Sequence, residues 1–321
     1  MKKVPHSEAI GLSGHQFEFD VERGKVREFA NTLFAFRPEY LEGKHPPIFP
    51  IQLVVASYLW GYMLENPMGT PLEQVDINYN MSLDGEQEFV FPDGPPLAGE
   101  TLLTRTWVDN IWEKQSSRAG TLTFYKMRSD FTDADGNLRA IHYSTSLVPD
   151  RVPDDDPPPE TEAGLEPVYM KQGEKREHFM QIEQMGWEDL LAGKNPGSID
   201  MPPLTLTEQV CYQIVSGNYG AGHHDTASAQ ADGYRDWFSI GMFHAGLLAT
   251  YAVNWLGPYN IRSIKFRFHD MMWPGDPLSD SGKVVETAEV DGERLVHIEL
   301  ACTHTVSQAV TVKAWATFVV P

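Results

Sequence analysis

The chain has 321 residues, of which 41% are hydrophobic and 11% aromatic, so it holds enough apolar material for a folded core. Asp and Glu number 45 against 25 Lys and Arg, and the formal net charge is −20. A field of that sign repels nucleic acids and anionic membranes and disfavours both as partners.

The cysteines and the apolar stretches indicate in which cellular compartment the protein is expected. Cys211 and Cys302 lie far apart in patterned segments, which argues against a disulfide framework or a cysteine zinc site. The first residues include two lysines but no apolar run behind them, so no signal peptide is expected. The longest apolar stretches are too short or too interrupted to span a bilayer. We therefore expect a soluble cytoplasmic protein without membrane insertion.

The residue pattern of the first half of the chain predicts two helices followed by a sheet. A charged amphipathic helix over 22–34 precedes the proline-rich "HPPIFP", and an apolar helix follows near Ile51–Met63. After a glycine turn, "PLAGETL", long segments alternate between polar and apolar residues, as half-buried antiparallel strands do. These segments are "TLLTRTWVDNIWEK", "AGTLTFYKMRSDFT" and "LRAIHYSTSLV". A hairpin turn is expected at Asp133–Asn137, between the last two.

A segment rich in proline and acidic residues separates the two halves. Residues Pro149–Gly164, "PDRVPDDDPPPETEAG", lack apolar groups to bury, so an extended linker is expected there. The following residues, 165–200, have an irregular pattern apart from a short helix expected around "QIEQMGWEDLLAG".

The second half repeats this order of elements. A helix over "TLTEQVCYQIV" is expected to begin with a capping box between Thr205 and Glu208. It leads into the glycine-rich "SGNYGAGHHD" and then into "GMFHAGLLATYAVNWLG", a helix that is apolar on every face and therefore buried. Alternating strand segments with a hairpin turn at Asp291–Gly292 complete this half. They are "YNIRSIKFRFHDMMWPGDPL", "KVVETAEV", "RLVHIELACTH" and "AVTVKAWATFVV".

A buried helix wrapped by a long antiparallel sheet, present twice, indicates an α+β fold of two tandem hotdog domains. The expected N-terminal hotdog domain covers 1–148 and is degenerate, because it lacks a site motif of its own. The linker and irregular segment cover 149–200, and the C-terminal hotdog domain covers 201–321.

The glycine-rich stretch resembles a motif of the MaoC-like, or R-specific hydratase, family of hotdog enzymes. That motif reads S/T-G-D-x-N-P-x-H-x-D. Ser216–Gly217 match its opening, Asn218 stands at the aspartate position, and Gly220–Ala221 stand at the Asn-Pro positions. His223 stands at the position of the catalytic histidine, and Asp225 at that of the final aspartate.

Further matches extend the resemblance to nearly the whole chain. Gly233–Tyr234 match the family's next pair, His244–Ala245–Gly246 stand near its H-G at the start of the central helix, and "RFHDMMWPGDPL" resembles its strand ending in P-G-D. The first half resembles the dehydratase-like domain often fused to such proteins, with "HPPIFP" in the place of A-P-P-T-F-P.

The resemblance implies reversible hydration of a 2-enoyl thioester of CoA or of an acyl carrier protein. In the family, the aspartate and the histidine carry the acid–base chemistry, and backbone N–H groups at the start of the central helix stabilise the enolate-like oxygen. Here Asn218 cannot accept a proton as a carboxylate can. Either His223 works alone, Asp225 substitutes for the missing aspartate, or activity is weak or absent.

The candidate catalytic residues are therefore His223, Asn218 and Asp225. The candidate substrate-binding residues are Gly220, His244, Ala245 and Gly246. No metal or other cofactor is expected, because consecutive side chains such as those at 223–225 seldom converge on one ion.

Each candidate also has a structural interpretation. The histidines and the aspartate could cap and tether a loop, His244 could be a paired buried polar residue, and Gly246 could allow close helix packing. The cations Arg262, Lys265 and Arg267 could meet phosphates or lie on a solvated strand face.

Three functions are compatible with this sequence. The first is a hydratase or dehydratase that interconverts 2-enoyl and 3-hydroxyacyl thioesters. The second is a catalytically silent subunit that binds an acyl thioester, and the third is a hotdog thioesterase. A homodimer or a hetero-oligomer is expected.

Overall fold

The computed structural model describes residues 5–57, 75, 82–117, 120–150, 177–179 and 181–321. The first half contains short helices and the long strands of one half-sheet. They are α1 (His6–Ala9), β1 (Phe17–Asp20), α2 (Arg23–Thr32), α3 (Pro38–Leu41), α4 (Val54–Ser57), β2 (Leu83–Val90), β3 (Thr101–Ser116), β4 (Gly120–Thr132) and β5 (Leu138–Pro149).

The second half contains the longest helix and the other half-sheet. Its elements are α5 (Trp187–Leu191), β6 (Ile199–Met201), α6 (Leu206–Ser216), a 3₁₀ turn (Ala221–His223), α7 (Thr226–Ala231), α8 (Gly241–Leu256), β7 (Ile261–Phe268), β8 (Leu278–Val290), β9 (Glu293–His304) and β10 (Val310–Val319).

All ten strands of the described residues form one sheet, in the order β1-β3-β4-β5-β2-β7-β10-β9-β8-β6. Every neighbouring pair is antiparallel. The first five positions come from the first half of the chain and the last five from the second half. The halves therefore join through the pairing of β2 with β7.

Ion pairs reinforce the junction between the two half-sheets. Glu86 on β2 is opposite Arg267 on β7, and its carboxylate pairs with Arg267 and with Lys265, the latter at 2.7 Å. Burial of the Glu86 carboxylate works against ionisation, but the hydrogen bonds from Lys265 and Arg267 prevail and hold the pKa of Glu86 below its ordinary value. Arg262 pairs with Glu293 at 3.0 Å. These strand cations thus have carboxylate partners.

Helix α8 occupies the centre of the second half. Every residue from Met242 to Leu256 is buried, as the apolar pattern predicts. The helix packs against β7, β8, β9 and β10 on one side. On another side it contacts the first half, where the Thr250 hydroxyl donates to the Leu33 carbonyl at 2.7 Å. The core is therefore shared between the two halves of the chain.

Most of the expected elements are present. The amphipathic helix, the alternating strands, the buried helix and the short helix before residue 200 are confirmed. The Glu208 carboxylate accepts the Thr205 backbone N–H at 3.0 Å, as the expected capping box requires. The apolar helix expected near Ile51–Met63 is helical over Val54–Ser57 and a turn over residues 51–53, whereas residues 58–63 lie outside the described residues, as does most of the expected linker. The domain boundaries stay predictions.

In the described part of the chain, no helix has both the length and the apolar character needed to cross a membrane.

A buried histidine lies in the first half-sheet. His142 Nε2 is 2.7 Å from Gln87 Oε1, and the ring stacks on Phe89 with centroids 4.6 Å apart. Because Gln87 Nε2 donates to Asp84 and Ser144, Gln87 Oε1 is the accepting end and His142 Nε2 donates. Burial lowers the pKa of His142 to about 3, so the ring is neutral in the folded protein at pH 7.

We expect stability to fall as the pH drops below about 6.5, the ordinary pKa of a histidine in an unfolded chain. Between that pH and about 3, the unfolded chain binds a proton that folded His142 does not. The free energy of unfolding should therefore decrease by up to about 1.4 kcal/mol per pH unit. In urea titrations at two pH values within this range, His142→Gln should show a smaller decrease than the wild type. As a control, His15→Gln, which replaces an exposed histidine, should keep the wild-type decrease in the free energy of unfolding. An unchanged decrease in His142→Gln would contradict the prediction.

Candidate active site

The loop after α6 starts from a fixed turn. The hydroxyl of Ser216, the last residue of α6, donates to the Tyr212 carbonyl at 2.7 Å and accepts the backbone N–H of Asn218 at 3.3 Å. Gly217 has a φ of 79°, the left-handed conformation that closes a helix and that glycine adopts without strain. The start of the loop is therefore held to the end of α6.

Asn218, at the family's aspartate position, is 7% exposed. Its Oδ1 accepts the backbone N–H of Gly220 at 3.2 Å. Because an N–H group can only donate, this bond identifies the oxygen end of the amide and leaves Nδ2 as a donor. Asn218 can thus orient a water molecule or a substrate, but it cannot take up a proton.

His223 lies on the 3₁₀ turn, with its half-buried ring against Phe238. Its Nδ1 is 3.0 Å from the Phe238 carbonyl oxygen, which can only accept, so the neutral ring carries its proton on Nδ1. Burial lowers the pKa of His223 to about 4, the bond to Phe238 opposes this change, and the neighbouring His224 adds to it. At neutral pH, Nε2 is therefore unprotonated and can act as a base.

Gly220 lies between the two side chains. A methyl group on its α-carbon would lie 3.3 Å from Asn218 Oδ1 and 3.6 Å from His223 Nε2. Asn218 and His223 therefore border the same small space beside Gly220, and a larger residue at 220 would fill part of it. The structure thus brings together three residues that the sequence proposes for the site.

Gln213 on α6 holds the loop in place. Its Nε2 donates to the Gly220 carbonyl at 2.9 Å, and its Oε1 accepts from His224 Nδ1 at 2.8 Å. Both ends of this buried amide are therefore used to fix the loop against α6. His224 is exposed and acts as a tether.

Asp225 has a capping role in the structure. Its carboxylate accepts the backbone N–H of Ser228 at 2.9 Å and caps the start of α7. The side chain is exposed. Of the two interpretations open for Asp225, this geometry supports the cap rather than a replacement for the missing catalytic aspartate.

Phe238 connects the loop to the rest of the site. Its backbone N–H donates to the Gly222 carbonyl at 3.2 Å. Its ring lies 4.7 Å from the His223 ring, 4.6 Å from Tyr234 and 6.1 Å from Trp273, measured between centroids. The rings of Phe238, Tyr234 and Trp273 form an aromatic wall next to the histidine.

The central helix starts where the apolar run predicts it, but the candidate binding residues lie further along it. Helix α8 begins at Gly241, one turn before His244–Ala245–Gly246. The first N–H groups of a helix have no partner within it, whereas those one turn further in are bonded along the helix. The N–H groups available to a ligand are therefore those of Gly241 and Met242, which corrects the sequence-based placement. A β-carbon on Gly241 would lie 2.9 Å from the Phe268 ring, so a glycine is needed there.

The three residues expected at the helix start are buried inside the core. His244 Nε2 lies 2.7 Å from the Ser239 hydroxyl, so His244 is a paired buried polar residue. A β-carbon on Gly246 would lie 2.6 Å from the Leu33 methyl groups. Gly246 therefore allows α8 to pack closely against the first half, and Ala245 is buried beside it.

Gln209 is a site residue that the sequence analysis misses. Its Oε1 accepts the backbone N–H of Ile240 at 2.9 Å, immediately before the start of α8. Its Nε2 is buried and has no hydrogen-bond partner among the described residues. Two buried glutamines four positions apart on one helix, Gln209 and Gln213, are the sequence signal that could have identified this face of α6.

Comparisons with known proteins agree with this architecture. Residues 8–141 match the family model described as the FAS1-like dehydratase domain region. Comparison with curated proteins gave no match. The structure is similar to a MaoC-like dehydratase, with 17% sequence identity and a TM-score of 0.72, over 98% of both chains.

Two further solved structures extend the likeness. A MaoC-like dehydratase from Phytophthora capsici shares 16% identity with a TM-score of 0.63, over 99% of this chain and 98% of that one. A conserved hypothetical protein from Mycobacterium tuberculosis with a double hotdog fold shares 13% identity with a TM-score of 0.58, over 95% and 96% of the two chains. The expected double hotdog fold and the resemblance to hotdog dehydratases are thus confirmed.

The capping role of Asp225 leads to a prediction. Asp225→Ala should lower the free energy of unfolding by about 1 kcal/mol, because it removes an N-cap, and should leave turnover nearly unchanged. Asp225→Asn keeps a capping oxygen and should restore stability without restoring a carboxylate. Urea unfolding and a thioester hydration assay on both variants test this. A large loss of turnover in a stable Asp225→Asn protein would instead make the carboxylate catalytic.

Proposed function

We propose that this protein is a hydratase or dehydratase that interconverts a 2-enoyl thioester and a 3-hydroxyacyl thioester, carried by CoA or by an acyl carrier protein. The observation that carries the proposal is the unprotonated Nε2 of His223, which borders the same space as Asn218 beside Gly220. A cytoplasmic location and assembly into a homodimer or hetero-oligomer stay predictions.

In this mechanism a water molecule occupies the space beside Gly220. His223 Nε2 accepts one hydrogen of the water, and Asn218 Oδ1, the amide atom beside this space, accepts the other. The oxygen attacks the β-carbon of the enoyl group while His223 takes the proton, so the carbon–carbon double bond becomes an enolate. His223 then returns a proton to the α-carbon, which leaves a 3-hydroxyacyl thioester.

The enolate oxygen needs hydrogen-bond donors. The N–H groups of Gly241 and Met242 supply them at the positive end of the α8 dipole. Gln209 Nε2 is a further donor, because its amide is held next to this helix end by the Ile240 N–H. Such preorganised donors act on the charge that develops in the transition state.

The first test is a pair of adjacent substitutions. His223→Ala should reduce kcat by roughly 10²–10⁴-fold, the usual contribution of a positioned acid–base group. His224→Ala should reduce it far less, because that ring only tethers the loop. The loss of absorbance of the conjugated thioester measures hydration across a panel of short, long and ring-bearing enoyl-CoA substrates. Equal losses in the two variants, or a fully active His223→Ala protein, would remove His223 from the mechanism.

The protonation of His223 should also determine how kcat/KM depends on pH. His223 must be unprotonated to accept a proton from water, so kcat/KM should fall only as the pH drops through its pKa of about 4. An acidic limb near pH 6.5, the ordinary pKa of histidine, would contradict the lowered pKa of His223. Circular dichroism across the same pH range separates this titration from unfolding.

A silent thioester-binding subunit is the second candidate function. It is favoured by Asn218, whose oxygen is engaged by the Gly220 N–H and whose amide cannot replace a carboxylate base. Such a subunit would bind the thioester without turning it over.

Asn218→Asp distinguishes the two candidates. A carboxylate there can still accept the Gly220 N–H, and its negative charge should raise the pKa of His223. For an active enzyme, the acidic limb of kcat/KM should therefore move upward from pH values near 4. An inactive wild type that becomes active as Asn218→Asp would support the silent subunit instead.

A further inference from the structure

Arg235, in the loop between α7 and α8, is a cation held in place on an aromatic ring, with no carboxylate partner in the part of the chain that the structure describes. Its guanidinium lies over the Trp273 ring, with Cζ 4.2 Å from the ring centroid. Its guanidinium nitrogens make no hydrogen bond or ion pair with any other described residue. Stacking on an aromatic face fixes the plane of a guanidinium while its N–H groups stay available at the edge.

The acidic side chains around Arg235 have other partners. Asp236 accepts the Thr226 hydroxyl at 2.6 Å and the Trp237 backbone N–H at 2.7 Å. Asp276 accepts the Trp273 backbone N–H at 2.8 Å and lies 3.7 Å from His304 Nε2, so it attracts Arg235 only at longer range.

The other cations considered for phosphate binding differ from Arg235. Lys265 and Arg267 share the Glu86 carboxylate, and Arg262 pairs with Glu293. In a chain of net charge −20, an arginine without a carboxylate partner among the described residues is a local exception to a field that repels anions. Of these four cations, Arg235 is the one at which a negatively charged ligand would not compete with a paired carboxylate.

The aromatic wall connects Arg235 to the candidate active site. His223 contacts Phe238, Phe238 contacts Trp273, and Trp273 carries Arg235 on its ring. The interior next to the start of α8 is buried and apolar, which suits an acyl chain. Residues 234–237 are half-buried, so this end of the aromatic wall is open to solvent in part.

We propose that Arg235 binds a phosphate of the phosphopantetheine arm that carries the thioester. The inference rests on the proposed function, because it uses a thioester bound beside His223. A phosphate presents two oxygens to the forked N–H groups of a guanidinium, which makes arginine a suitable partner. CoA and an acyl carrier protein both contain this phosphate, so they are two sources of one chemistry.

The experiment compares thioesters that share one enoyl group and differ in their carrier. Arg235→Ala should lower kcat/KM for the enoyl-CoA roughly 10- to 100-fold, mainly through KM, as expected for lost hydrogen bonds to a charged group. It should leave kcat/KM for the enoyl-pantetheine thioester, which has no phosphate, unchanged. Arg235→Lys keeps the positive charge but lacks the forked N–H groups. Its kcat/KM for the enoyl-CoA should therefore lie between the values of the wild type and of Arg235→Ala. Arg262→Ala, which removes an ion-paired strand cation, should behave as wild type with both substrates.

Two results would overturn the assignment. Equal losses on the CoA and pantetheine thioesters would mean that Arg235 only supports the loop, and no loss on either would mean that it does not contact the ligand. An enoyl thioester on phosphopantetheine alone gives a third comparison: a loss there supports the phosphate common to both carriers, whereas a loss with CoA only would move the contact to the nucleotide phosphates and would also overturn the assignment. If the wild type turns over no thioester, calorimetric binding of CoA to wild type and Arg235→Ala still tests the contact.

Discussion

The complete burial of α8 is the constraint on which the rest of the structure depends. A helix that is apolar on every face cannot leave any side in water, so the second half-sheet covers one side and the first half of the chain covers another. The contact between Gly246 and Leu33 requires a glycine because the two halves approach so closely. The same packing fixes the start of α8, and with it the N–H groups of Gly241 and Met242 that the proposed mechanism assigns to the thioester oxygen.

The fold could be predicted because its signals are local. Strands such as β3, β4 and β5 alternate over many residues, and their hairpin turn carries the residues that such turns require. The pairing of β2 with β7 has no local signal. It depends on ion pairs such as Arg267 with Glu86, which are 181 positions apart in sequence. For the same reason, the sequence could not distinguish the paired strand cations from Arg235, which has no carboxylate partner among the described residues.

The candidate site was predictable in its composition and less so in its geometry. The motif identifies Asn218, Gly220 and His223, and the structure brings them together around one space. The apolar run predicts the start of α8 at Gly241, but the resemblance places the candidate binding residues His244–Ala245–Gly246 at that start, and they lie one turn inside the helix. Gln213 was missed because a glutamine on an amphipathic helix has the same pattern whether it braces a loop or faces solvent.

The replacement of an aspartate by Asn218 limits how protons can move in the proposed mechanism. With an amide at 218 and Asp225 used as a cap, His223 is the group at this space that can both take and return a proton. The proton removed from water is then returned from the same ring, so hydroxyl and hydrogen add to the same face of the double bond. The low pKa of His223 makes its ring a weak base toward water and, once protonated, a strong acid toward the α-carbon. Stabilisation of the enolate by Gly241, Met242 and Gln209 must therefore supply most of the driving force for the first step, which makes the start of α8 as important to this chemistry as the histidine itself.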